Sequence, residues 1–214
     1  MSDTPEQPPS PVFIHPGADV AASATLGEGC KVWRGAHIRE DAHLGKGCII
    51  GEGVYLGAGV RLGNHCKVQN QALLYEGVEL DDGVFIGPQV CFTNDYLPRA
   101  VNPDGSLKSA DDWHVGRTRV REGASVGAAT VVVTGVTIGR WALVGAGSVV
   151  TRDVPDHALV FGSPARVHGW VCRCARRLDT TPSEQGLVGT CTHCGTKFQV
   201  PSSKFEVPGC QVSS

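Results

Sequence analysis

The sequence predicts an all-β parallel solenoid built from six-residue repeats, followed by a small cysteine-bearing module. Three observations carry this. An aliphatic or aromatic residue recurs at every sixth position from Ile14 through Val20, Leu26 and onward to Ile86 and Phe92, fourteen registers without a slip. Glycine is 28 of 214 residues, about 13% against a usual share of roughly 7%. Neither of the ordinary periods fits, since a helix repeats at 3.6 residues and an isolated strand at two.

Each element follows from that ruler. The residue after the aliphatic one is often glycine, as at Gly27, Gly45, Gly51, Gly57, Gly63 and Gly87, which reads as a tight turn tolerating unusual backbone angles. Four residues after the aliphatic one stands a small or β-branched residue, for example Ala18, Cys30, Ala36, Cys48, Val54 and Cys66. Three hexapeptides make a triangular coil of eighteen residues, and coils stack by parallel pairing at about 4.8 Å. The ruler stops after Leu97 and resumes at Val120, Val126, Val132, Ile138, Val144 and Val150. The intervening 98–119 segment is an inserted loop, long enough to be either functional or a tolerated excursion. Residues 1–11 are acidic and proline-rich and are expected to form a disordered tail; 12–170 form the solenoid domain; 171–214 form the C-terminal module.

Composition narrows the function classes. With 19 Lys+Arg against 21 Asp+Glu and no basic block, general nucleic-acid binding is not expected. No apolar run approaches the roughly 18 residues of a membrane span, and the first residues lack the apolar stretch of a secretory signal. The expected location is the cytoplasm, where nine cysteines read as buried thiols or metal ligands before disulfides.

The cysteines divide in two. Cys30, Cys48 and Cys66 are one coil apart and are expected to fill the core like Ala or Val. Cys172 and Cys174, with Cys191 and Cys194 before Gly195, have the spacing of a zinc ribbon, although the first pair is C-x-C rather than C-x-x-C. Free thiols are the alternative, and His193 is a second ligand candidate. A tail of this size cannot bury enough core to fold alone, so a closed structural zinc site supplies the missing stabilisation.

The segments LGEGCK, IGEGVYLGAGVRLGNHCKV and VTIGRWALVGAGSVVTRDVP resemble the hexapeptide-repeat acyltransferases. KVQNQALLYEGVELDDGVFIGPQVCFTNDYLPRA and ALVFGSPARVHGW are similar, more narrowly, to bacterial nucleotide-sugar 3-N-acetyltransferases. The resemblance covers about 12–170 and implies a left-handed β-helix, a homotrimer, acetyl-CoA bound between neighbouring subunits, and a UDP- or dTDP-linked 3-amino sugar as acceptor. It implies that Asn94, in the F-T-N motif, holds the sugar amine in line with the acetyl carbon; a turn residue is the alternative. Gln69, Asn70 and Tyr75 match the family's Q-N-x-x-x-x-Y stretch, and Arg99 its P-R. Asn70 serves equally as a solenoid ladder residue, and Arg99 either pairs with a sugar carboxylate or pyrophosphate or is a solvated loop charge. Ala128, Ala146 and Pro164 lie eighteen apart and are expected to form a small-residue ridge for pantetheine, leading to Arg166 for the adenosine 3′-phosphate; eased coil turns are the competing account. The competing functions are a histidine-dependent O-acetyltransferase of the same fold, with His114 in the inserted loop nearest a ligand, and a non-catalytic β-helix scaffold.

Overall fold

The computed structural model describes residues 11–109, 112, 114–183 and 186–200. Two-residue strands alternate with four-residue corners and stack into three parallel faces. Neighbouring coils pair eighteen residues apart, as in Lys31↔Ile49, His37↔Tyr55 and His43↔Arg61 on the first, second and third faces. The second residue of each strand points inward, so Val32, Ile38, Ile50, Leu56, Val68 and Leu74 are fully buried. The same position in the first coil, Ile14, stays 44% exposed, since among the described residues it is covered from one side only.

The Cys30, Cys48 and Cys66 thiols occupy the inward corner position and donate to Gly45 O, Gly63 O and Asp81 O of the next coil at 3.0–3.1 Å. Contact with the Cys48 sulfur and burial push the Cys30 thiol far up, which keeps it neutral. These cysteines fill space and satisfy carbonyls, as the spacing predicts.

The glycines divide in a way the sequence reading did not separate. Those directly after the aliphatic residue are needed for room: a Cβ at Gly127 would stand 2.5 Å from the Ala146 nitrogen, and one at Gly87 2.6 Å from the Ala128 nitrogen. The left-handed turn lies two residues later, at Gly53 (φ 65°) and Gly59 (φ 65°), and Gln71, Gln89 and Ala129 adopt it as well.

The excursion leaves the coil at the corner between the second and third faces. It follows Phe92, five residues before the expected start at 98, and ends where Thr118–Val120 pairs with Val78–Leu80, two residues before the boundary expected from the ruler. Its stem is zipped by an antiparallel Asp95↔Val115 bridge, and a second bridge, Val101↔Leu107, makes a hairpin inside it. Thr93 Oγ1 accepts the Thr134 N–H and Thr118 Oγ1 the Gly135 N–H, both at 3.0 Å, tying the stem to the next coil.

The last coil is two residues short. Val154 pairs with Ile138, and Leu143–Val144 pairs with Leu159–Val160 at a spacing of sixteen. Ala158–Gly162 then folds back on Ala165–Trp170 as an antiparallel hairpin that ends the solenoid. Beyond it, Asp179–Ser183, Gly186–Thr190 and Lys197–Val200 form a three-stranded antiparallel sheet. This module rests on the final coil: the Val171 N–H donates to His157 O at 2.8 Å, and the His157 and Phe198 rings lie 4.3 Å apart. Among the described residues no helix is long and apolar enough to cross a membrane.

Candidate functional site

Three groups of residues are set by the solenoid's edges and its end. The first lies at the corner between the second and third faces. Asn94 opens the excursion there, half-buried, with its carbonyl accepting the Gly116 N–H at 3.1 Å. Among the described residues its side-chain amide has no hydrogen-bond partner, so the group is free to meet a ligand. Asp95, beside it, is spent on the Leu97 N–H at 2.8 Å. Tyr75 stands on the same corner one coil earlier and is 36% exposed.

Gln69 and Asn70 belong to the same coil as Tyr75 but to the opposite edge of the second face, between strands Lys67–Val68 and Leu73–Leu74. Asn70 Oδ1 accepts the Glu52 N–H at 3.0 Å, and Asn64 Oδ1 does the same for Lys46 at 2.9 Å. Half of the Asn70 amide thus works as a coil-to-coil bridge. Arg99 is exposed, donates to the adjacent Pro98 O at 3.0 Å and meets no carboxylate among the described residues. One subunit therefore unites Tyr75 with Asn94 and leaves Gln69 and Asn70 across the face from them.

The second group is the small-residue edge. Ala146 stacks on Ala128, with the Gly147 N–H donating to Ala128 O at 2.8 Å, and Gly127 and Gly145 flank them. Pro164 does not continue this column, contrary to the spacing argument. The last coil lacks two residues, so Gly162 follows Ala146 and Pro164 sits in the hairpin turn behind a cis Ser163–Pro164 bond. Arg166 is exposed on that hairpin opposite Phe161, and donates to Ala165 O at 2.9 Å. Phe161 stacks flat on His168 with centroids 3.6 Å apart, a pair invisible without the hairpin register.

The third group is at the end of the chain. The sulfurs of Cys172, Cys174, Cys191 and Cys194 all lie within 4.8 Å of one another, with Cys172–Cys194 at 3.4 Å and Cys174–Cys191 at 3.7 Å. A tetrahedron with Zn–S bonds of about 2.3 Å has sulfur–sulfur edges of about 3.8 Å, so the donor set fits zinc in kind, number and spacing. The Thr196 hydroxyl and N–H hold Cys194 down to about 6, while burial and the neighbouring thiols push Cys172 up to about 11. The C-x-C departure is accommodated because the Cys172 N–H donates to Arg176 O and the Ala175 N–H to Cys172 O, turning the chain tightly around the first pair.

Sequence reasoning missed the neighbours of Tyr75. The Tyr55 and Tyr75 rings are 5.4 Å apart, His37 meets Tyr55 edge-on at 5.4 Å, and Arg39 donates to the Tyr55 hydroxyl at 3.3 Å. The signal was present: His37 and Tyr55 are one coil apart at the outward strand position.

A solenoid of hexapeptides with an open, polar corner defines a class, and the comparisons agree with it. Residues 42–75 and 118–152 match the family described as the hexapeptide repeat of succinyl-transferase, and the solenoid is a left-handed β-helix. Within that class the chain is 60% identical over 63 residues to a dTDP-3-amino-3,6-dideoxy-α-D-galactopyranose 3-N-acetyltransferase of Aneurinibacillus thermoaerophilus, a stretch that is 29% of this chain and 33% of that protein. The chain thus spans about a third of the length of the curated relatives it matches. The acetyltransferase domain of PglB from Neisseria gonorrhoeae FA1090 superposes with a TM-score of 0.50 at 26% identity, over 74% of this chain and 58% of that one. The hexapeptide-repeat acetyltransferase VCA0836 of Vibrio cholerae O1 biovar eltor, solved with acetyl-coenzyme A, superposes at 0.50 and 25% identity, over 61% of this chain and 70% of that one.

Proposed function

We propose that this protein is an N-acetyltransferase that moves the acetyl group of acetyl-CoA to the 3-amino group of a UDP- or dTDP-linked amino sugar. The observation that carries it is the 60% identity with a dTDP-amino-sugar 3-N-acetyltransferase. The unpartnered Asn94 amide supports it. An amino sugar is substantially neutral near pH 7–8, so positioning contributes more than a strong base. The amine nitrogen attacks the thioester carbonyl and forms the C–N bond. A backbone N–H stabilises the tetrahedral oxyanion, the C–S bond breaks, and the amine's proton ends on the CoA thiol. Gln69, Asn70, Tyr75 and Arg99 serve the acceptor; the Ala128–Ala146 edge carries the pantetheine and Arg166 the 3′-phosphate, with Pro164 closing the hairpin beside them.

The protein acts as a homotrimer. Beyond Asp19, His37 and Tyr55 the outward side chains of the second face are Leu73, Cys91, Val131 and Val149, whereas the third face presents His43, Arg61, Glu79 and Arg119 between Thr25 and Thr137. An apolar face beside a charged one suits contact between copies on the former and solvent on the latter. Trimer contact also offers a route for Gln69 and Asn70 of one subunit to join Asn94 of another. Zn²⁺ held by Cys172, Cys174, Cys191 and Cys194 would stabilise the C-terminal module. Free buried thiols suit the cytoplasm.

The test is CoA thiol release from acetyl-CoA with UDP- and dTDP-linked 3-amino sugars; no release with any of these amines rejects the reading. Asn94→Ala should lower turnover roughly 100-fold or more while sedimentation is unchanged. A second reading, O-acetyl transfer, has one observation in its favour: the Asp95↔Val115 bridge sets His114 close to the Asn94 corner. Turnover of hydroxyl acceptors that disappears in His114→Ala would favour it.

A further inference from the structure

We infer that Tyr96 is a positioning residue for Asn94. Its ring clamps the stem of the excursion onto the next coil and so sets the direction in which the Asn94 amide meets the acceptor's amine. The inference rests on the acetyl-transfer reading above and deepens it by naming what holds its central residue.

Asn94 stands where the chain leaves the solenoid, so the regular ladder ends beside it. The last register pair before it is Phe92↔Val132. Beyond that pair, Thr93 Oγ1 accepts the Thr134 N–H and anchors the base of the outgoing arm. The Gly116 N–H donates to Asn94 O at 3.1 Å, and Asp95 bridges Val115. These last two contacts run between the arms of the stem. They hold the arms to each other and leave the tilt of the stem against the shaft to other groups.

Tyr96 supplies that contact. Its ring lies against two glycines on different stretches of chain. A Cβ at Gly116 would stand 2.8 Å from Tyr96 Cε2, and one at Gly135 2.9 Å from Tyr96 Cζ. Gly116 belongs to the returning arm and Gly135 to the turn of the next coil, so a single ring spans both. The returning arm is also packed against the preceding coil, since a Cβ at Gly77 would stand 2.5 Å from Gly116 O and 2.7 Å from Val115 Cγ1. Gly116 is therefore buried between Gly77 and Tyr96, and its amide holds the Asn94 carbonyl. Packing this close leaves no slack, and small changes in volume are transmitted along it.

The extent of burial argues for placement over stability. Tyr96 stays 57% exposed, so its ring adds little to the apolar core. Leu97, next along the arm, is 76% exposed, whereas Tyr96 turns back onto the shaft. Only Asp95 separates Tyr96 from Asn94, and its carboxylate is taken by the Leu97 N–H. A tilt of the stem thus moves the Asn94 amide directly. A displacement of about 1 Å at a positioning group costs on the order of 100-fold in rate.

The test uses the full chain. Tyr96→Ala should lower kcat for transfer to the amino sugar by at least about tenfold, with the acetyl-CoA KM and the thermal midpoint nearly unmoved. Tyr96→Phe should restore the rate, because the ring makes the Gly116 contact. A rate in Tyr96→Phe as low as in Tyr96→Ala overturns the inference, since the hydroxyl would then be the acting group. The deciding measurement is a double-mutant cycle on kcat. In an Asn94→Ala background, Tyr96→Ala should cost nothing more, because the amide that it positions is gone. Losses that multiply reject the positioning role and leave the proposed function standing; wild-type kcat in Tyr96→Ala does the same. Hydrogen exchange needs no turnover. The Gly116 amide should exchange faster in Tyr96→Ala while amides within the shaft are unchanged, and an unaltered Gly116 amide overturns the clamp. Absence of transfer in the wild type rejects the function, and the exchange measurement still decides whether Tyr96 holds the stem.

Discussion

The shaft and the C-terminal module hold themselves together by different means. In the shaft each aliphatic residue is covered by its counterparts above and below, so Leu56 and Leu74 reach zero exposure inside a triangle only two residues wide per side. The module offers Leu178, Cys191 and Val200 as buried apolar groups and turns its four thiols toward one point. Repetition supplies a core for the first, whereas the second has no repeat and gathers four thiols in its place. The lesson is that a metal site is expected where stacking stops.

That contrast can be broken in several ways. The largest effect belongs to the module: structural zinc in small cysteine sites contributes roughly 10–16 kcal/mol of apparent binding energy, which is also folding energy. Cys191→Ser, or treatment with a strong chelator, should release about one zinc per chain by metal analysis and expose the module to protease. The hexapeptide shaft should keep its far-ultraviolet dichroism; if it melts with the module, the two regions are not independent. Leu56→Ala should act in reverse, costing the shaft about 2–5 kcal/mol by denaturant titration with zinc content unchanged. Gly127→Ala comes next. A Cβ there meets the Ala146 nitrogen at 2.5 Å, so the coils must part locally, lowering the thermal midpoint and weakening CoA binding measured by calorimetry. Wild-type CoA affinity would remove the small-residue edge from the cofactor site.

The smallest effect is electrostatic. The Asp82 carboxylate accepts the Asn64 N–H at 2.7 Å and the Asn64 side-chain amide at 3.1 Å, and these bonds hold its pKa below the usual value, the backbone one most. A depressed carboxylate stabilises the fold above its unfolded pKa of about 3.9. That contribution is lost as pH falls through the lower folded value. Asp82→Asn should therefore reduce stability slightly at neutral pH and make the acid-side decline shallower, read as the pH dependence of the melting temperature. The group is exposed, so solvent screening keeps the effect small.

Much of the molecule was legible beforehand because its signals are local or strictly periodic. The inward aliphatic ruler, the Cys30–Cys48–Cys66 ladder and the clustering of the last four paired cysteines all follow from counting residues. Counting failed where the count itself changes. Pro164 was assigned to the column above Ala146 on an eighteen-residue interval, but the closing coil drops two residues and Gly162 takes that place. Asn70 carried two readings from sequence, and its bond to the Glu52 N–H shows the structural one in use for its oxygen.

The sequence alone determined the class of fold and which four thiols come together, since each depends on spacing along one chain. Only the tertiary structure decided which edge each polar residue occupies. It separated Gln69 and Asn70 from Asn94 and Tyr75, left the Asn94 amide without a partner among the described residues, and brought His37, Tyr55 and Tyr75 into one strip. The physical reason is that a triangular coil converts a six-residue step into a 120° turn. Residues close in sequence are thereby sent to different edges, while those a full coil apart come into contact at about 4.8 Å.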